Sequence, residues 1–155
     1  MTEKFDRGAI TGNWPKNLSY EGEDTASGNR IKNYFSSGNG AHKKKESFFY
    51  DKTALDIFLM AMAVGKDLGV RTKLKKKQAN LPTKTLSENH IWAMISVVLS
   101  EENSNLETLE DGNAIFTICE EYANGGIETV MDWDESGETG NKFKKFIEKF
   151  EEKLE

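Results

Sequence analysis

The chain has 155 residues, enough for about one domain, with 37% hydrophobic and 30% charged residues and a formal net charge of −5. Cys119 is its only cysteine, which excludes an intramolecular disulfide; one thiol with two distant histidines, His42 and His90, also excludes a thiolate zinc cluster. The mean charge conceals two blocks: Lys66 to Lys84 holds seven Lys/Arg against one acid, and Glu101 to Glu138 holds twelve Asp/Glu and no Lys or Arg.

Residues 1–47 read as an irregular, partly disordered arm. Its glycines lie among Ser, Asn, Asp and Lys, and no apolar period is sustained. Isolated Phe5, Ile10, Trp14, Tyr20, Tyr34 and Phe35 are available to dock on a core, and the arm has room for a short hairpin. Met1 to Ile10 is polar and lacks an apolar leader, so with the lone cysteine a cytoplasmic location is expected. Residues 48–155 read as a helical domain.

Asp51 to Gly69 is the longest apolar run and the expected central helix. Leu55, Phe58, Leu59 and Met62 follow the spacing of one helical face; Ile57, Met60, Ala61, Val64 and Leu68 line a second. Such a helix is buried over most of its circumference. It is too short, and too closely flanked by charge, to span a membrane. Asp51 is the expected N-cap and Gly69 the left-handed residue that ends it. Val70 to Pro82 reads as a connection, with no convincing strand after residue 50. Ser87 is expected to cap a second helix with Ile91, Met94, Ile95, Val98 and Leu99 facing inward. A third begins near Glu110 or Asp111, with Ile115, Ile118, Cys119 and Tyr122 inward, and Asn124-Gly125-Gly126 is expected to break or kink it before Ile127, Val130 and Met131. After an acidic turn over Asp132 to Asn141, Phe143, Phe146, Ile147, Phe150 and Leu154 mark a last amphipathic helix. The fold class is therefore all-α: a compact bundle of four or five helices around a buried central helix, with the irregular arm attached.

Arg71, Lys73, Lys75, Lys76 and Lys77 form the strongest binding signal. Flexible cations on a connection neutralise phosphates without reading sequence, although a solvated charged loop has the same composition. Asp132, Asp134, Ser136 and Gly137 match the first half of a calcium loop, but Phe143 stands where the bidentate acid belongs, so an ordinary acidic turn is expected and no metal ligands are assigned. Cys119 falls on an apolar face, and His90 opens a helix as a surface or capping residue. There is no glycine-rich phosphate loop, and Glu120 and Glu121 are adjacent on a helix and diverge. No catalytic residue and no cofactor are assigned.

Two stretches together resemble a known family. The first is Lys52 to Lys77, carrying Ala61, Ala63 and Gly65 and then Arg71, Thr72 and Leu74; the second is Ile118 to Val130, carrying Glu120, Glu121, Tyr122, Ala123, Asn124, Gly125, Gly126 and Ile127. The order resembles the Dnd system-associated proteins, small accessory proteins encoded with DNA phosphorothioation (Dnd) clusters. The likeness covers roughly residues 50 to 131 and leaves out the arm and the last helix. It implies a role beside DNA modification in antiphage defence, with the other proteins of that system as partners, and it brings no catalytic residues. The resulting expectation is a non-enzymatic adaptor acting through protein contacts, with DNA backbone contacts through Arg71 and the lysines as a further element; the alternative is a nucleic-acid-binding regulator using that basic loop. Arg71 suits a phosphate contact or a tie from the loop to Glu120 or Glu121 equally well in chemistry, and the structural tie is the favoured reading.

Overall fold

The computed structural model describes residues 6–36, 38, 40–101, 106–142, 144, 145 and 148. In chain order they form α1 (Arg7–Thr11), β1 (Asn17–Glu21), α2 (Ala26–Phe35), α3 (Ala54–Leu68), β2 (Lys77–Pro82), α4 (Glu88–Leu99) and α5 (Gly112–Glu135). Short 3-10 turns lie at Ala41–Lys43, Thr83–Thr85 and Leu106–Glu110. The fold is mostly helical, as expected, but not wholly: β1 and β2 pair antiparallel, with Leu18 opposite Leu81 and Tyr20 opposite Gln78.

That sheet corrects two readings. The connection Val70 to Pro82 ends in a strand, and the stretch 6–36 carries two helices and a strand where irregular backbone was expected. The reason is burial. Leu18 and Tyr20 point into the core from one face of β1, and Ser19 and Glu21 are buried on the other, so every residue after Asn17 is covered and no polar alternation survives in the sequence. Trp14, Ile31 and Phe35 join the same core as the helices. Tyr20 stacks on Phe35 with ring centres 4.6 Å apart, and Trp14 meets Phe116 edge-on at 5.4 Å.

Helix α3 is buried along Leu55, Ile57, Phe58, Ala61, Met62 and Val64, whereas Leu68, expected inside, is about half exposed. Its N-cap is Thr53, not Asp51: the Thr53 hydroxyl accepts from the Asp56 amide while the Asp56 carboxylate accepts from the Thr53 amide at 2.9 Å. Asp51 instead takes a positive φ of 66° in the turn before it. Gly69 ends the helix at φ 70°, as read. Ser87 caps α4, which buries Ile91, Met94, Ile95 and Val98; Leu99 faces outward.

Asp111 caps α5. This helix runs 24 residues without the expected break at Asn124-Gly125-Gly126. The glycines let two backbones approach. A Cβ on Gly126 would overlap the Ala61 carbonyl oxygen and lie 2.6 Å from the Gly65 amide nitrogen. A Cβ on Gly65 would overlap the Tyr122 carbonyl oxygen and lie 3.1 Å from the Gly126 nitrogen. The α3–α5 crossing is thus a contact of bare backbone, and both glycines lie within helices. The acidic turn expected from Asp132 is shorter, because α5 continues to Glu135 and the chain turns at Gly137 with φ 74°. The expected apolar face of Phe143, Phe146, Ile147, Phe150 and Leu154 lies outside the described residues. None of the described helices is long and apolar enough to cross a membrane.

Candidate functional site

The basic segment between α3 and β2 does not stand free. It lies across the middle of α5 and the end of β1, tied at nearly every residue. The Val70 amide donates back to Gly65 at 2.9 Å, closing the C-terminus of α3. Gly125 leaves room for the Val70 carbonyl, since a Cβ there would overlap it. Thr72 donates its amide to the Glu121 carbonyl at 3.0 Å, and the Asn124 carboxamide donates to the Thr72 carbonyl at 3.1 Å. Further on, the Glu21 carboxylate accepts the Lys75 and Lys76 amides at 2.8 and 2.9 Å and the Glu23 amide at 3.1 Å. Burial raises the cost of charge on Glu21, but these backbone donors outweigh it and hold the carboxyl below its ordinary value.

The cations of the segment divide into two groups. Arg71 reaches Glu121 at 2.8 Å and Glu101 at 3.4 Å, and its guanidinium stands 5.7 Å from the centre of the Tyr122 ring. Lys77 lies 3.2 Å from Glu120, and Lys75 lies 3.8 Å from Glu23. Lys73 and Lys76 are exposed and make no ion pair among the described residues. Glu101 also takes Lys66 at 3.2 Å and the Tyr122 hydroxyl; burial opposes its charge, yet these donors keep it below the usual carboxylate range.

Glu120 is the most deeply placed of these acids, at 3% exposure. One oxygen accepts the Ser19 amide of β1 at 2.6 Å, and the other faces the Lys77 ammonium in an ion pair. Ser19 therefore has its outward amide satisfied by a side chain, and α5 closes the edge of β1 that β2 leaves unpaired. Burial pushes the Glu120 carboxyl above its ordinary value; Lys77 and Ser19 only partly counter it.

The remaining candidates have structural partners. His90 accepts the Ser87 amide at Nδ1 and faces Asp56 with Nε2 at 3.2 Å. That arrangement fits the tautomer protonated at Nε2. Cys119 is fully buried, its thiol lies 3.7 Å from the Met94 carbonyl, and burial pushes it far toward the neutral form. Asp132 is paired with Arg30 at 2.9 Å, and Asp134 accepts from the Tyr34 and Ser47 hydroxyls at 2.6 Å and from the Phe48 amide at 2.8 Å. Those carboxylates stand on the last turn of α5, so the half-match to a calcium loop falls largely on helix. No group of three or more metal-ligating side chains occurs among the described residues.

Each residue of the Glu120–Gly126 block now has a place: Glu120 on β1 and β2, Glu121 on Arg71, Tyr122 on Glu101, Ala123 in the core, Asn124 on Thr72, and the glycines on Val70 and α3. A family profile, DNA sulphur modification system-associated protein 4, matches residues 40–141. The chain belongs to this family. The match spans α3, β2, α4, α5 and the crossing between them, so the basic segment and its acidic seat form one unit within the family region. β1, which supplies Glu21 and the Ser19 amide to that unit, lies on the N-terminal side of the matched residues. No curated protein and no solved structure matches the chain. Membership of the DNA sulphur modification system-associated proteins ties the protein to that modification system and accords with the expected Dnd association.

Sequence reasoning anticipated the Arg71–Glu121 tie. It missed Glu21 and Glu101, which gather as many donors as the residues it named. Neither carried a signal in the sequence: each is a single acid among many, and each acquires its role from chain segments far away.

Proposed function

We propose that this protein is a non-enzymatic adaptor that binds other proteins of a DNA sulphur modification system linked to antiphage defence. The observation that carries this reading is the state of the basic segment. Arg71 and Lys77 face carboxylates of their own chain within 3.4 Å and Lys75 faces Glu23 at 3.8 Å, so part of the charge that suggested a phosphate contact is matched internally. The segment acts as a strap that fixes β2 against α5. Large apolar side chains on the surface, Trp92 and Leu99 on α4 and Leu106 after it, supply area of the kind that protein partners cover. The one thiol and both described histidines are engaged in packing, capping or a turn.

Co-expression of the tagged chain with the other proteins of such a system, followed by nuclease treatment, tests the proposal. A stoichiometric complex that survives is the expected result; retention of no system protein would sink it. The second reading, a nucleic-acid-binding regulator, draws on the exposed Lys73 and Lys76. It requires duplex binding whose logarithm falls with log salt at a slope of about −0.9 per phosphate contact, reduced in Lys73→Glu/Lys76→Glu.

A further inference from the structure

The sheet has one closed edge and one open edge. Glu120 closes β1 through the Ser19 amide. Among the described residues, β2 has β1 as its one strand partner, so the other side of β2 presents unpaired backbone. A groove of about 840 Å³ runs along it. Five consecutive residues, Gln78 through Pro82, line this groove. The pairing with β1 shifts register between Leu18 and Tyr20, so the alternation of β2 breaks at Ala79 and Asn80, and the five residues line the groove in a row along the strand. The far wall is the end of α2 at Lys32 and Asn33 and the first turn of α3 at Ala54 and Leu55.

We propose that this groove receives an extended, acidic peptide segment of a partner protein, which adds to β2 as a third strand. At about 3.3 Å per residue, β2 spans roughly five residues of an added strand, with Pro82 offering only its carbonyl and the ladder stepped at the register shift. Charge selects the occupant. The chain carries 26 acids, yet no Asp or Glu among the described residues lines the groove, while Lys32 does; His42 lines it too, but burial and the neighbouring Lys43 hold its imidazole toward the neutral form. The amides of Ala54 and Leu55 open the positive end of a 15-residue helix and make no hydrogen bond among the described residues. Asp56 turns its carboxylate away from them, to Thr53 and His90. The carboxamides of Asn33, Gln78 and Asn80 both donate and accept, which suits peptide groups. Nucleic acid fits less well. Tyr20 and Phe35, the aromatic rings of the groove, are buried and stacked on each other, leaving no face for a base, and one lysine is too few for a run of phosphodiesters.

The inference rests on the adaptor reading and names the chemistry of one contact. Its test is a titration of the isotopically labelled full-length protein, followed by amide NMR. The probes are capped octapeptides alternating Val with Glu or Val with Lys, a Val–Glu peptide N-methylated along one edge, and a thymidine oligonucleotide. The expected result is that the Val–Glu peptide shifts the amides of residues 78–82 and 54–55, binds at least about fivefold tighter than the Val–Lys peptide, and loses binding on N-methylation. Lys32→Glu/Asn33→Glu, which places acids in the groove without touching the core, should weaken it about tenfold at unchanged melting temperature. Equal binding of both peptides, indifference to N-methylation, shifts confined to other regions, or a preference of these amides for the oligonucleotide would each overturn the proposal. Co-purification of system proteins that persists in Lys32→Glu/Asn33→Glu would overturn the groove and leave the adaptor reading standing. Peptide binding in the groove without any such co-purification would uphold the groove and sink the adaptor.

Discussion

Replacing Gly126 by Ala should unfold or strongly weaken the protein, although alanine is the better helix former. In an exposed helix the change would stabilise by about 0.5–1 kcal/mol. Here the added Cβ meets backbone of two residues: the Ala61 carbonyl, whose carbon is 3.1 Å away, and the Gly65 nitrogen at 2.6 Å. None of these atoms can rotate aside as a side chain would. Relief requires α3 and α5 to part by more than an ångström along the contact that buries Phe58, Met62, Ile127 and Val130. Overpacking of a core typically costs about 1–3 kcal/mol, and a clash with backbone belongs at or above the top of that range. A loss of about 3 kcal/mol is a large share of the stability of a domain this size and corresponds to a fall in melting temperature of roughly 6–12 °C. Urea denaturation followed by circular dichroism measures it, with Gly140→Ala as the control, because a Cβ at Gly140 meets nothing within 4 Å. A Gly126→Ala protein as stable as the control would refute the backbone-contact account and restore the reading of Gly125-Gly126 as a turn.

The other predictions concern the buried acids and the thiol. Removing the Lys77 charge with Lys77→Met should cost about 1–2 kcal/mol, less than for a fully buried pair because Lys77 is 58% exposed; a denaturation midpoint unchanged from wild type would show that Glu120 needs no counter-charge. Glu21, Asp56 and Glu101 are held below their ordinary values, so each contributes stability that is present above that value and is lost as the pH falls through the lowered one. Glu120 has the opposite sign: raised in the fold, it makes stability decline as the pH rises above 4.5 through its raised value. Glu120→Gln keeps an acceptor for the Ser19 amide and should flatten that decline in melting curves recorded from about pH 4 to 8, whereas an identical pH profile would contradict the assignment. Cys119 should react with a thiol reagent only at the rate of unfolding; prompt labelling in native buffer would show that α4 and α5 open locally.

Features fixed by neighbours in sequence were legible beforehand. Gly69, Ser87 and Asp111 each mark a helix end through bonds within one turn, and Ile91, Met94, Ile95 and Val98 reveal a buried face by spacing alone. Features fixed across the chain were not. β1 pairs with a strand some sixty residues away, and Ser19 and Glu21 are buried because α5 and the basic segment cover them. The Gly125-Gly126 pair reads the same whether it serves a turn or a helix crossing; only Ala61 and Gly65, on another helix, decide between the two. The basic segment was legible as charge but not as charge partly met, because its partners Glu23, Glu101 and Glu120 come from separate elements. Arg71 is the exception, since an arginine beside a core helix with two acids to choose from has few other places to go.

The central claim is that the protein works through protein contacts and that its basic segment is a strap. The most direct measurement is co-purification of the other DNA sulphur modification proteins with the tagged chain, after nuclease treatment and in about 0.5 M salt, for wild type beside Lys73→Glu/Lys76→Glu. The account predicts the same complex from both. A complex that disappears with nuclease, with salt or with the two exposed lysines would contradict it and make the basic segment a nucleic-acid contact.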